Sequence, residues 1–272
     1  LKNIHQRVKL YIDIFYVNGL AFLTTISDDI HYVTIDNIEN KKVPTLITYI
    51  DRVIKKYTVR GFTVIDIFGD GEFDVDEIIT AVLPATLHTC SADEHVHRIE
   101  RTIRTIKERA RTVCHSLPYN FFPKLLTTSL MINISIWLNQ FPNRNGILER
   151  YSPANVIDGT PNPDYNRKRI SIGSYALAYF GTDNTMKQRA VPAIALHEAS
   201  IQGSYFLTLD TGRKINSMRW DPLPINDDVR NQVHSLASLA SGLARSLGSP
   251  DRSLARSLAG ASLASGPCWH SL

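Results

Sequence analysis

Apolar and polar positions follow two rhythms in the first half of the chain. Residues 8–16 (VKLYIDIFY) are β-branched and aromatic with no breaker, Asn18-Gly19 follows, and 20–27 (LAFLTTIS) returns. That pattern predicts a hairpin with a tight turn, and a third strand at 31–36 after Asp28-Asp29. The spacing then changes to three and four at Leu46, Ile47, Ile50, Val53, Ile54 and Tyr57, which predicts a helix over 43–60 stopped by Gly61. FTVIDIF at 62–68 reads as a strand buried by that helix. A short helix at 74–81, a break at Pro84 and a short strand at 86–90 precede a capping box, Ser91 with Glu94. The long helix it opens carries Ile99, Ile103, Ile106, Ala110 and Val113 on one stripe. The order predicts an α/β fold: a five-stranded mixed sheet flanked by helices, its first three strands antiparallel and the fourth beside the first.

Pro118 closes the long helix, Leu125–Leu138 supplies another, and Pro153 with Gly159 brackets a short helical turn. Trp137 is read as a core residue. The organisation expected is an upstream edge at 1–7, with Leu1 read as the edge of a longer polypeptide or a truncated gene product, and a core at 8–159. A linker at 160–171 and a small β-rich module at 172–225 follow. Strands at 172–180, 191–197, 204–210 and 213–220 are punctuated by glycines. Residues 226–272 change character: SLAS occurs at 235–238 and 262–265, and LARSL at 243–247 and 254–258. With no broad apolar face, this tail is read as disordered or weakly helical.

Composition allows a sizeable core, with 43% apolar residues in 272. The net charge of +4 says little about nucleic acid, but its distribution says more: residues 98–111 hold six bases and two acids. Cys90, Cys114 and Cys268 suit neither a disulfide framework nor a zinc site, so a reducing compartment is the default. No apolar run approaches the roughly 18 residues of a membrane-spanning helix, and no membrane partner is expected.

Three acids stand out. Asp13 lies inside the first strand, and its parity is shared with Tyr11 and Phe15; an acid on an aromatic face needs a metal, a base or an edge position. Asp70 ends the fourth strand in a glycine-bracketed turn, where glycine permits positive φ or close approach; Asp66, on the same strand, competes with it. Glu100 shares a helix stripe with Arg104, Lys107 and Arg111, and Arg101 adds further charge. A solvated helix with Glu100 paired to Arg104 is the plainer reading. Carboxylates brought together repel unless cations neutralise them, and oxygen ligands suit Mg²⁺ or Mn²⁺. Such a pair of ions serves phosphoryl transfer, with the basic stripe positioning a phosphate backbone.

These residues carry a resemblance. YIDIFY around Asp13, Gly69-Asp70-Gly71-Glu72-Phe73, and Glu100-Arg101 followed by Arg104-Thr105 and Glu108-Arg109-Ala110-Arg111 resemble the integrase catalytic core of copia-type LTR retrotransposons, a ribonuclease-H-like polynucleotidyl transferase family. SPANVIDG at 152–159 and the Gly203, Tyr205, Leu207, Arg213-Lys214 pattern resemble segments after that core. The resemblance implies a Gag-Pol-type polyprotein and catalytic, metal-binding Asp13, Asp70 and Glu100, with two Mg²⁺ or Mn²⁺ ions when DNA is bound. It also implies Arg101, Arg104, Lys107 and Arg111 as nucleic-acid contacts, and Lys187, Arg189, Arg213, Lys214 and Arg219 as candidates. Its activity would join retroelement 3′ DNA ends to target DNA, as a homo-oligomer and in the nucleus. An inactive nucleic-acid-binding remnant, cytoplasmic or in an intracellular particle, is the alternative. Here Glu94-His95 replaces the usual Asn-Gly, Asp70 and Glu100 stand closer together than is common, and no preceding His/Cys domain or structural zinc is expected.

Overall fold

A computed structural model describes residues 6–90, 97–143, 150–159, 170–181, 186, 188–199 and 203–247. The chain divides into two units, 1–110 with 131–168, and 111–130 with 169–272. The expected capping box at 91–94, the linker at 160–169 and residues 248–272 lie outside the described residues.

In the first unit, β1 (Arg7–Val17), β2 (Leu20–Ser27) and β3 (Val33–Ile38) form the expected meander. Asn18 and Gly19, at φ 50° and 73°, give the turn two left-handed residues that match strand twist. The third strand starts later than its pattern indicates, because His31, at φ 58°, extends the preceding turn and donates its amide to the Ser27 carbonyl. Helix α1 (Val43–Val59) leads to β4 (Thr63–Asp70), a 3₁₀ turn (Gly71–Phe73), α2 (Asp76–Ala81) and β5 (Thr86–Cys90). The sheet order is β3-β2-β1-β4-β5, with β4 and β5 parallel to β1 and to each other. The fourth strand is therefore beside the first, as its continuous apolar run requires.

One irregularity decides which side chains share a face. Val8 pairs with Val64, but Lys9 pairs with Asp66, so Ile65 is an extra residue in β4. Such a bulge reverses the alternation beyond it. Val64 and Ile67 consequently both join Val8, Leu10 and Ile12 in the core under Leu46, Ile50, Val53 and Tyr57 of α1. Asp66, Phe68 and Asp70 turn to the other face, with Lys9, Tyr11 and Asp13. Against that face lies α3 (His97–Ser116): the Arg98 guanidinium is 5.8 Å from the Tyr11 ring centre, and the Lys107 ammonium is 5.9 Å from that of Phe15.

Helix α3 buries Ile99, Ile103, Ile106, Ala110 and Cys114, and Val113 is only half-buried. Helix α4 (Lys124–Gln140) contributes its second half to this unit. Trp137, expected in the core, stays 37% exposed and stacks on Phe141. Buried Asn139 accepts from the Val33 amide at 2.8 Å and donates to its carbonyl at 2.7 Å. An amide side chain thus satisfies edge-strand groups that would otherwise be unpaired. Helix α5 (Pro153–Ile157) is capped reciprocally by Ser152 and Asn155.

The second unit contains an antiparallel sheet in the order β10-β6-β7-β8-β9. Its strands are β6 (Tyr175–Tyr179), β7 (Ala190–Glu198), β8 (Ser204–Thr208), β9 (Lys214–Ser217) and β10 (Trp220–Pro222). The single strand expected at 213–220 is two, because the Ser217 hydroxyl accepts from the Arg219 amide at 3.2 Å and turns the chain. The same hydroxyl lies 2.8 Å from the Tyr179 carbonyl, linking β9 back to β6. The sheet therefore curls toward a small barrel. Of the tail read as disordered or weakly helical, Asp227–Leu247 is a helix, α6. Asn226 accepts from the Val229 amide at 2.9 Å, and Val229 and Val233, one turn apart, are buried. Both valines precede the repeats, which begin at 235.

Candidate active site

Tyr11 and Phe68 stack at 5.2 Å across the β1–β4 pairing. Two residues further along each strand come Asp13, inside β1, and Asp70, the last residue of β4, on the same face of two parallel strands. Asp13 is half-buried opposite buried Thr24, beside the Phe15–Phe22 stack. Its Oδ1 accepts from the Ile14 amide at 2.6 Å. Burial pushes its carboxyl up to about 6, against the lowering effect of that hydrogen bond; the charges of Asp70, Glu72 and Glu100 push in the same direction as burial. These acids, from three separate segments, therefore share one electrostatic site.

Asp70 is exposed, and its Oδ1 accepts from the Gly71 amide at 2.7 Å, opening the 3₁₀ turn. Phe73 anchors that turn by burying its ring. Of the two freedoms expected of the glycines, positive φ is used by neither. A Cβ on Gly69 would lie 2.9 Å from the Phe73 ring and 3.0 Å from Ile12, whereas one on Gly71 would meet nothing within 4 Å. Only Gly69 is required for close approach.

Asp66 has different surroundings. It lies 2.9 Å from His88 Nε2 and 4.0 Å from Lys9 Nζ, and His88 stacks on Phe68. It is absent from the charges that raise Asp13. Glu72 belongs to the acidic group although its residue type and position did not single it out beforehand. Its carboxylate receives Lys41 Nζ at 2.7 Å on both oxygens. That ion pair, 31 residues apart in sequence, has no local signature.

Glu100 is exposed in the first turn of α3. The basic residues predicted around it are not equivalent. Arg104 is exposed; Lys107 is half-buried over Phe15. Arg101, also exposed, lines a cavity of about 460 Å³ with Arg98, Thr102, Thr105, His31 and Leu138. By helical spacing that cavity occupies the flank of α3 away from Glu100. Arg98 is itself held by Asp28. Arg111 is half-buried and belongs to the second unit. In that unit Lys214 stands 3.8 Å over the Tyr205 ring, and Lys187 lies outside the described residues.

The donor set fits a hard divalent cation in kind: carboxylate oxygens whose mutual repulsion a cation relieves. In this structure it is not drawn tight, since among the described residues no three His, Cys, Asp or Glu side chains stand close enough to hold one ion. Among the same residues no helix is long and apolar enough to cross a membrane.

No family model matches the sequence, and no curated protein matches it. Among solved structures, the catalytic core domain of BIV integrase is similar at 14% identity, over 56% of this chain and 93% of that chain, with a TM-score of 0.41.

Proposed function

We propose that the chain is an integrase catalytic core of the copia-type LTR retroelement class, from a Gag-Pol-type polyprotein, catalysing metal-dependent DNA strand transfer. The observation that supports the reading is Asp13 and Asp70 on one face of adjacent parallel strands, with the charge of Glu100 among the smaller influences that raise Asp13. The motifs around these three acids support it independently. Asp13, Asp70 and Glu100 are the residues that would hold Mg²⁺ or Mn²⁺. Bound there, the metal supplies Lewis acidity and charge neutralisation for phosphoryl transfer. Arg104, exposed on the stripe of α3 that carries Glu100, would hold phosphate oxygens beside the acids, and Arg101, exposed on the other flank, would meet them further out. In the reaction a 3′-hydroxyl oxygen of element DNA bonds to a target phosphorus, and the target's own 3′ oxygen leaves and takes up a proton. Work on both DNAs at once fits a homo-oligomer acting on nuclear DNA.

A second reading is a nucleic-acid-binding remnant without catalysis. It is favoured by the loose spacing of the acids. Strand transfer with element-end DNA in Mg²⁺ or Mn²⁺ separates the two. Activity in the parent, abolished in Glu100→Gln, is the result expected; metal-dependent binding without transfer leaves the remnant reading, and equal activity in Glu100→Gln refutes the carboxylate mechanism.

A further inference from the structure

Strands β1, β3 and β4 run in one direction and end at the same edge of the sheet. The connection from β3 to α1 leaves that same end of the sheet, level with Tyr16, since Ile38 and Tyr16 both pair with Ala21. Lys41 lies in that connection. Its ammonium bonds both Glu72 oxygens at 2.7 Å and stands 5.2 Å from the ring centre of Tyr16. A cation is thus held by Glu72, two residues past Asp70, at the end of the sheet where β4 stops.

We propose that Lys41 is a positioning residue for nucleic acid, held by Glu72 in the free protein and passed to a backbone phosphate when nucleic acid binds. The inference rests on the nucleic-acid reading above. Three observations support it. The partners are accessible, with side chains 36% and 49% exposed, and Tyr16 is 46% exposed. A solvated ion pair contributes little to stability, so exchanging its carboxylate for a phosphate oxygen costs little, and both partners make charge-assisted bonds. Glu72, once released, remains an exposed carboxylate two residues from Asp70, where divalent cations bound to the proposed site would screen its charge.

The test is fluorescence anisotropy of the full chain with a labelled 30-base-pair duplex in 50–300 mM KCl. Lys41→Gln should lower the salt slope by about 0.9 and weaken binding several-fold at 100 mM. Lys41→Arg should restore both. Glu72→Gln should tighten binding several-fold, by more than Glu39→Gln, which removes a like charge from the same connection. An unchanged slope in Lys41→Gln, or a Glu72→Gln effect no larger than that of Glu39→Gln, overturns the proposal. Strand transfer measured on the same preparations keeps the two readings apart: a parent that transfers strands with an unaffected Lys41→Gln slope refutes Lys41 alone. A parent that binds without transfer refutes the integrase reading and leaves the Lys41 result standing. A parent that binds no duplex overturns both.

Discussion

Replacing Asp13 by Asn should stabilise the metal-free protein. The amide is nearly isosteric and its oxygen can still accept from the Ile14 amide, so packing and the local hydrogen bond are kept. What disappears is a half-buried charge facing other carboxylates. The Asp13 carboxyl moves from its ordinary 3.8 to about 6, and each pKa unit is worth about 1.4 kcal/mol. The cost of ionised Asp13 is therefore bounded near 3 kcal/mol, and solvent screening brings the expectation to about 1–2 kcal/mol. The sign fixes a pH window. With its folded pKa raised, the native state binds more protons than the unfolded chain between about pH 4 and pH 6, so the parent loses stability as pH rises through that range. Asp13→Asn should be ahead by about 1–2 kcal/mol at pH 7, with the gap closing toward pH 4. Urea titration in EDTA, read by hydrogen exchange of peptides from residues 7–27, reports on the first unit directly. Mn²⁺ should then stabilise the parent and leave the variant unmoved, because only the parent binds it. A variant less stable than the parent at pH 7, or a gap that persists at pH 4, would refute the account of Asp13.

Asn139→Ala should cost about 2–3 kcal/mol, since it leaves both backbone groups of Val33 without their partner; the Val33 amide should lose protection first. Gly69→Ala should cost about 1–3 kcal/mol by overpacking against Phe73 and Ile12, while Gly71→Ala should leave the melting temperature nearly unchanged. Val233→Ala should cost about 2 kcal/mol and raise exchange across α6, because Val233 is fully buried; no change would return that segment to the status of a tail.

The meander, α1 and the place of β4 were legible because each has a local cause: Asn18-Gly19 fits a primed turn, and Leu46, Ile50 and Val53 keep helical spacing. Asp13 was legible for the opposite reason, as an acid that breaks an aromatic face. Glu72 was not singled out because its partner, Lys41, is remote in sequence. The late start of β3 depends on one left-handed residue, His31, of a type that carries no strong turn signal. Lys107 illustrates a further limit: its charge indicates surface, whereas its position over Phe15 gives it a packing contact as well. In sequence, helix α6 reads as at most weakly helical because the serine, alanine and glycine repeats from 235 onward carry no broad apolar stripe, while Val229 and Val233, buried ahead of them, are too few to set a period.

The extra residue at Ile65 makes the acidic site a matter of counting. Upstream of it β1 and β4 are in one phase, and downstream they are in the opposite phase, which is what turns Asp70 toward Asp13. Were Ile65 instead drawn into regular pairing opposite Lys9, the strand would stay apolar and all three acids present, yet Asp70 would be directed toward the α1 side of the sheet. Chemistry encoded this way can be extinguished by a slip of register alone. Copies descended from one ancestor could therefore carry every expected acid and differ in competence through whether one residue stays outside the ladder.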